Sequence, residues 1–171
     1  MKIKLRLICL AFVLVHLVNA QEDSKTSLKL AFKQAKVEDK NVLLIFHASW
    51  CGWCKKMEKN INAVECKELF EVNYVIAYLT VHESADKKNL ENPGALDVLK
   101  KYNGENSGLP FWVFLNKKGK LLADSFNDEN QNIGCPGAEE EVTQFLDKLK
   151  TTSNLTKDEL TVISKIFIIK K

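Results

Sequence analysis

The chain is short of net charge, of cysteine and of any apolar run long enough to span a bilayer. Its 171 residues carry 25 Lys and Arg against 22 Asp and Glu. Lys2, Lys4 and Arg6 account for that surplus, and residues 1–20 hold no acid, so the remainder is neutral. A neutral surface lacks the electrostatic footprint of a nucleic-acid binder, and no nucleic-acid partner is expected. Five cysteines are too few for a disulfide-stapled miniprotein of this length, so the core must come from packing. There is no internal repeat, no low-complexity tract and no domain linker. The longest early apolar run, "LICLAFVLVHLV", has twelve residues and is interrupted by His16. A spanning helix needs roughly 20.

What is there reads as one exported domain. That run lies between the basic "MKIKLR" and the small-residue site Val18-Asn19-Ala20, the three parts of a secretory signal, with cleavage expected after Ala20. Cys9 sits too deep in the signal to carry a lipid and leaves with it. The expected mature chain is 21–171: a domain core over about 24–150 and a helical extension over 151–171. The expected location is a bacterial periplasm or a comparable extracytoplasmic space, where disulfides persist. Cys51, Cys54, Cys66 and Cys135 remain. Apolar content of 46% and charged content of 27% are ordinary for a globular protein.

Periodicity sets the element order. Leu28, Ala31, Phe32 and Ala35 are at helical spacing. "NVLLIFHAS" is a continuous apolar run, as in a central strand buried on both faces. From Cys54 the positions Met57, Ile61 and Val64 continue a helix that starts at the cysteines, with a bend at Asn60 and Asn62. "YVIAYLTV" reads as a second buried strand. Asn92-Pro93 reads as N-cap and N1 of a helix ending at Asn103-Gly104. "GLPFWVFLNKKGKLLADSF" reads as a β-hairpin around Lys-Lys-Gly. Two helices follow, over Ala138 to Lys150 and after the capping box Thr156-x-x-Glu159. The expected class is an α/β layer fold with a mixed sheet, in the order α-β-α-β-α-β-β-α-α.

The chemistry concentrates in "WCGWCKK". A helix N-terminus presents unpaired N–H groups and the positive end of the helix dipole, so a thiol there ionises more easily, and the thiolate is the reactive form. Cys51 occupies that position. Cys54, one turn on, joins the buried stripe of Met57 and Ile61. The spacing predicts one exposed, activated thiol and one shielded thiol, which suits disulfide exchange. Two other readings stand beside it. A structural metal site usually needs four ligands, and no second Cys or His pair accompanies this one; Cys66, Cys135, His47 and His82 are scattered singly. Two inert core cysteines would be oddly placed at a strand-to-helix junction.

"WCGWCKK" after a buried strand, followed by "GLPFWVFLNKKGKLL", resembles the thioredoxin superfamily, in particular its exported single-domain members. The resemblance covers roughly Ser24 to Lys150 and implies a thioredoxin fold, with a mixed sheet of about four strands, flanking helices and an extra C-terminal helix. It implies a cis-proline at Leu109-Pro110, with Pro110 packed against the disulfide and the Leu109 backbone pairing with a substrate peptide. Two residues depart from the family pattern. Gly52-Trp53 replaces Gly-Pro between the cysteines, and Ile45 stands where thioredoxin has a buried acid. His47 and Glu58 are then the candidate proton acceptors for Cys54.

The implied function is an exported protein thiol–disulfide oxidoreductase, a reductase or isomerase, with Cys51 attacking and Cys54 resolving. No cofactor is implied. The expected partners are proteins bearing disulfides or thiols and a membrane-bound electron donor, and a monomer is expected. Of Trp50 and Trp53, one is expected to pack on the fold and the other to form an apolar lip for clients. Lys55 and Lys56 are read as solvated, Cys66 as a packed thiol. The hairpin's return strand carries Cys135 toward the redox face, where it would be an accessory thiol or an unreactive loop residue. The rival from another class is a non-enzymatic, redox-regulated client-binding module.

Overall fold

The apolar run after Lys40 forms the middle of a sheet. β1 (Asn41–His47) pairs parallel with β2 (Tyr74–Thr80) and antiparallel with β3 (Phe111–Leu115), and β4 (Leu121–Asp124) pairs antiparallel with β3. The order β2-β1-β3-β4 gives the expected mixed four-stranded sheet. These coordinates are a computed structural model, which describes residues 21–169; the expected signal, with Cys9 and His16, lies outside the described residues.

Side chains alternate across β1, so each face of the sheet carries its own core. Val42, Leu44 and Phe46 pack with α1 (Ser24–Glu38) and α4 (Ala95–Lys101), through Ala31, Ala35 and Leu99. Leu43 and Ile45 face α2 (Gly52–Ile61), α3 (Lys67–Asn73), α5 (Glu139–Thr152) and α6 (Lys157–Phe167), a core rich in aromatics that includes Phe70, Trp112, Phe114, Phe145 and Phe167. The C-terminal extension is therefore part of the core, since Ile163 and Phe167 are fully buried in it. The α6 capping box forms as expected: Glu159 N–H donates to Thr156 Oγ1 and Thr156 N–H to Glu159 Oε2.

Four expectations need correction. The helix after the cysteines is not continuous. Both the backbone N–H and the side-chain Nδ2 of Asn62 donate to the Glu58 carbonyl, closing α2 at Ile61. Val64 then falls in the turn before α3, 94% exposed rather than on the buried stripe. β2 is an edge strand, and Ile76, Ala77 and Tyr78 in its middle are only half-buried. Asn92 does not cap α4, whose N-cap is Gly94 at φ 78°. Instead the Asn92 side chain accepts from Thr80 N and donates to the Glu22 carbonyl, tying the end of β2 to the chain entering α1.

The hairpin forms where expected. Asn116 Oδ1 accepts from Lys118 N and Lys120 N, and Gly119 supplies the positive φ of 82° at which a side chain would be strained. β4 then runs antiparallel to β3, and the chain beyond it returns toward Pro110: Asn132 Nδ2 donates to the carbonyls of Gly108 and Pro110.

Candidate active site

The site lies where β1 gives way to α2. After His47 the chain turns through Ala48, Ser49 and Trp50, and Cys51 N–H donates to the Ala48 carbonyl at 3.1 Å. Cys51 has extended backbone angles and is the N-cap of α2. Its Sγ accepts the N–H of Cys54 at 3.1 Å, so the sulfur takes one of the helix's unpaired donors. Cys51 and Cys54 are joined by a disulfide, with Cα atoms 5.3 Å apart. Ala48 and Leu109 pack against the pair. The Leu109–Pro110 peptide bond is cis, and Pro110 is buried.

Exposure does not distinguish the two cysteines as expected. Cys51 is 3% exposed and Cys54 5%. In the disulfide state each sulfur shields the other, and Leu109 covers both. The asymmetry that remains is electrostatic: only the Cys51 sulfur faces the helix N–H. The tryptophans also differ from expectation, because both are exposed, Trp50 at 58% and Trp53 at 52%. Trp50 is held at its edge, its Nε1 donating to the His82 carbonyl at 2.8 Å. Trp53 stands beside Lys56, whose ammonium lies 5.3 Å from the ring centroid. Both indoles thus form the rim.

The two candidate proton acceptors are placed differently. His47 is half-buried on the α2 face of β1, the face of Ile45, and its Nε2 lies 3.1 Å from Thr80 Oγ1. Burial pushes its pKa below the ordinary histidine value, while Glu58 and Glu83 pull the other way. Glu58 is exposed on α2 and lies outside the cluster around the disulfide. Its charge, after burial, helps push the Tyr78 hydroxyl up to about 12.

Cys135 does come to the redox end. It lines a cleft of about 260 Å³ with Trp53, Leu109, Gly137 and Ile169. The same residue is 7% exposed and packs into the aromatic core. Burial pushes its thiol up to about 11, with Lys56 opposing and Glu141 adding to the shift. Cys66 is fully buried, and burial with Glu65 nearby raises its thiol to about 11 as well. Among the described residues, no group of three or more His, Cys, Asp and Glu comes together to hold a metal ion.

Sequence reasoning missed Glu83. Its carboxylate accepts both the N–H and the hydroxyl of Ser49, at 2.5 and 2.8 Å, and the residue is 4% exposed. "VHESADKK" reads as a polar surface loop, and nothing in it signals a buried acid. The cleft wall at Ile169 was missed too. Ile169 N–H donates to the Gly137 carbonyl, and a Cβ on Gly137 would meet Ile169 Cδ1 at 2.6 Å.

A thioredoxin-like domain family matches residues 28–127, more than half of the chain. Among solved structures, the disulphide isomerase from Xylella fastidiosa Temecula1 is 24% identical, with a TM-score of 0.50, over 60% of this chain and 72% of that one. A DsbH oxidoreductase is 23% identical, with a TM-score of 0.47, over 76% of this chain and 83% of that one. A thioredoxin from Thermus thermophilus is 20% identical, with a TM-score of 0.46, over 76% and 83%. At these identities the likeness is one of fold. No curated protein matches the chain.

Proposed function

The chain belongs to the thioredoxin-like domain family and carries a thiol–disulfide oxidoreductase's Cys-x-x-Cys pair, and from that premise we propose that it is an exported enzyme that reduces or rearranges the disulfides of client proteins. The observation that carries the reading is the Cys51 sulfur at the N-cap of α2, accepting the Cys54 N–H. A negative charge on that sulfur is stabilised by the same N–H and by the helix dipole. In the reduced protein the Cys51 thiolate attacks one sulfur of a client disulfide. A Cys51–client disulfide forms, and the other client sulfur leaves as a thiolate that takes up a proton.

Two routes lead on. In reduction, Cys54 gives up its proton and attacks the Cys51 sulfur, closing the Cys51–Cys54 disulfide and releasing the second client thiol; two electrons have passed to the client. In isomerisation, another client thiolate attacks the mixed disulfide and frees Cys51, with no net electron transfer. His47, on the strand behind the pair, is the acceptor we favour for the Cys54 proton. Glu58 is exposed and less suited.

Trp50, Trp53 and Leu109 form the apolar rim on which a client would rest, with the Leu109 backbone available to an extended client strand. A reductase in an oxidising compartment needs an electron donor, and a membrane-bound dithiol protein would serve. The protein is proposed to act as a monomer. The test is catalytic reduction of a model protein disulfide by a small dithiol. Wild-type turnover with none in Cys51→Ala supports the enzyme. Normal turnover in Cys51→Ala would return the chain to a client-binding module.

A further inference from the structure

The redox steps above give no part to the one buried carboxylate near the pair. Among the described residues Glu83 is the single buried acidic or basic side chain. It stands in the loop after β2, and its two oxygens take the N–H and Oγ of Ser49, two residues before Cys51. The residue beside it works in parallel: His82, at φ 55°, offers its carbonyl to Trp50 Nε1. Val81 N–H donates to the His47 carbonyl at 2.9 Å. Three successive residues of one loop therefore hold the segment 47–50 that delivers Cys51. Glu83 is itself fixed from behind, its own N–H donating to Glu91 Oε1 at 2.8 Å.

The two bonds to Ser49 do not need a charge. A glutamine would offer one carbonyl acceptor to the Ser49 N–H and an amide donor to the hydroxyl. Burying a carboxylate is far more costly than burying an amide. A carboxyl buried at that cost, and bonded to the turn two residues before the cysteine that must ionise, points to electrostatics. Like charges brought close disfavour each other. The thiolate that Glu83 disfavours belongs to the dithiol state, because the disulfide carries no charge.

We propose that Glu83 is a positioning and tuning residue for Cys51: its bonds to Ser49 set the turn that places Sγ at the start of α2, and its charge opposes the Cys51 thiolate, holding the pair toward the disulfide and making it a stronger reductant. The other titratable groups around this turn are His47 at the end of β1, Lys55, Lys56 and Glu58 on α2, and His82 and Glu91 in the loop after β2. The inference rests on the oxidoreductase reading only in treating Cys51 ionisation as functional. It is measured without any client.

The experiment is equilibrium with glutathione: Cys51–Cys54 disulfide plus two glutathione thiols give the dithiol plus one glutathione disulfide, two electrons and two protons passing to the protein. Glu83→Gln removes the charge and keeps hydrogen-bonding groups. Its constant should move toward the dithiol by about 3- to 10-fold, and the pH midpoint of Cys51 alkylation should fall. Ser49→Ala, which keeps the charge and loses one bond, should stay within about 2-fold of wild type on the same scale. In the unmodified protein, the Glu83 carboxyl carbon resonance should shift as Cys51 ionises in the reduced form and not over that range in the oxidised form, a readout that survives if a variant does not fold. Wild-type values in Glu83→Gln, equal shifts in both variants, or a Glu83 resonance blind to Cys51 would each overturn the proposal. Loss of client turnover alone would count against the enzyme reading and leave this one standing.

Discussion

Two helices among the described residues begin at a cysteine, and only one of them turns the sulfur onto its own unpaired N–H. Cys51 opens α2 in an extended conformation, which turns its sulfur back onto the Cys54 N–H at 3.1 Å. Cys66 opens the seven-residue α3 with helical backbone angles and makes no side-chain cap. It is fully buried, and its thiol is pushed up to about 11. Cys135 shares that second environment, raised to about 11 in the aromatic core although it lines the cleft beside Trp53. A place at a helix start is thus not enough to activate a thiol. On the proposed function, the sulfur must face the free N–H, at a sheet end where a client can arrive.

The largest effect should come from deleting the activated thiol. Cys51→Ala is expected to lower turnover of a protein disulfide by about 10³-fold or more, the scale of losing a nucleophile. Cys66→Ala should stay within about 2-fold, since that thiol reaches no client. Steady-state reduction of a protein disulfide measures both, and equal losses would erase the distinction between the two regions. The two halves of the pair should separate as sharply. Cys54→Ser should accumulate mixed disulfides with clients on non-reducing gels, because nothing resolves the first attack, while Cys51→Ser should trap almost none.

Next in size is the packing of the region that keeps thiols inert. Phe167→Ala empties a site between Phe70 and Phe145, whose ring centroids lie 6.3 and 5.1 Å from its own. Unfolding by urea should show a loss of about 3–5 kcal/mol. The glutathione equilibrium of Cys51–Cys54 should change by less than about 2-fold, since distant sites add independently. A large change in that equilibrium would mean that the aromatic core and the redox turn are coupled.

The fold was legible because its signals are local. Continuous apolar β1, the two apolar runs of β3 and β4 around Lys-Lys-Gly, and the box Thr156-x-x-Glu159 each declare an element in a few residues. The cysteine pair was legible for the same reason, from spacing at a strand-to-helix change. Val64 and Asn92 misled because each has the right type for a role that a neighbour overrides: Asn62 closes the helix first, and Thr80 captures the Asn92 side chain. Glu83 and Ser49 lie 34 positions apart, and no local pattern announces such a bond. Both tryptophans on the rim, rather than one, follow from the His82 carbonyl holding Trp50 outward.

A smaller effect concerns pH. Burial pushes the Cys66 and Cys135 thiols up to about 11 in the folded protein, well above the ordinary cysteine value. Both folded values are raised, so the stability they contribute is fully present below about pH 9 and is lost as pH rises toward 11. The loss should be about 2 kcal/mol per thiol at most. Urea midpoints at pH 8 and pH 10.5, wild type against a Cys66→Ala, Cys135→Ala double variant, isolate it from the tyrosines. A double variant that loses as much as wild type would place these thiols in a wetter region than the one described.

The most direct test of the contrast is residue-resolved alkylation of the fully reduced protein across pH, read by mass spectrometry of peptides carrying each cysteine. Cys51 should react first, with a midpoint below the roughly 8.5 of a free cysteine. Cys54 should follow at higher pH, and Cys66 and Cys135 should stay unmodified until the pH approaches 11. If Cys54 reacts before Cys51, or if Cys66 or Cys135 reacts alongside them near neutral pH, the account of one activated sulfur among four is wrong.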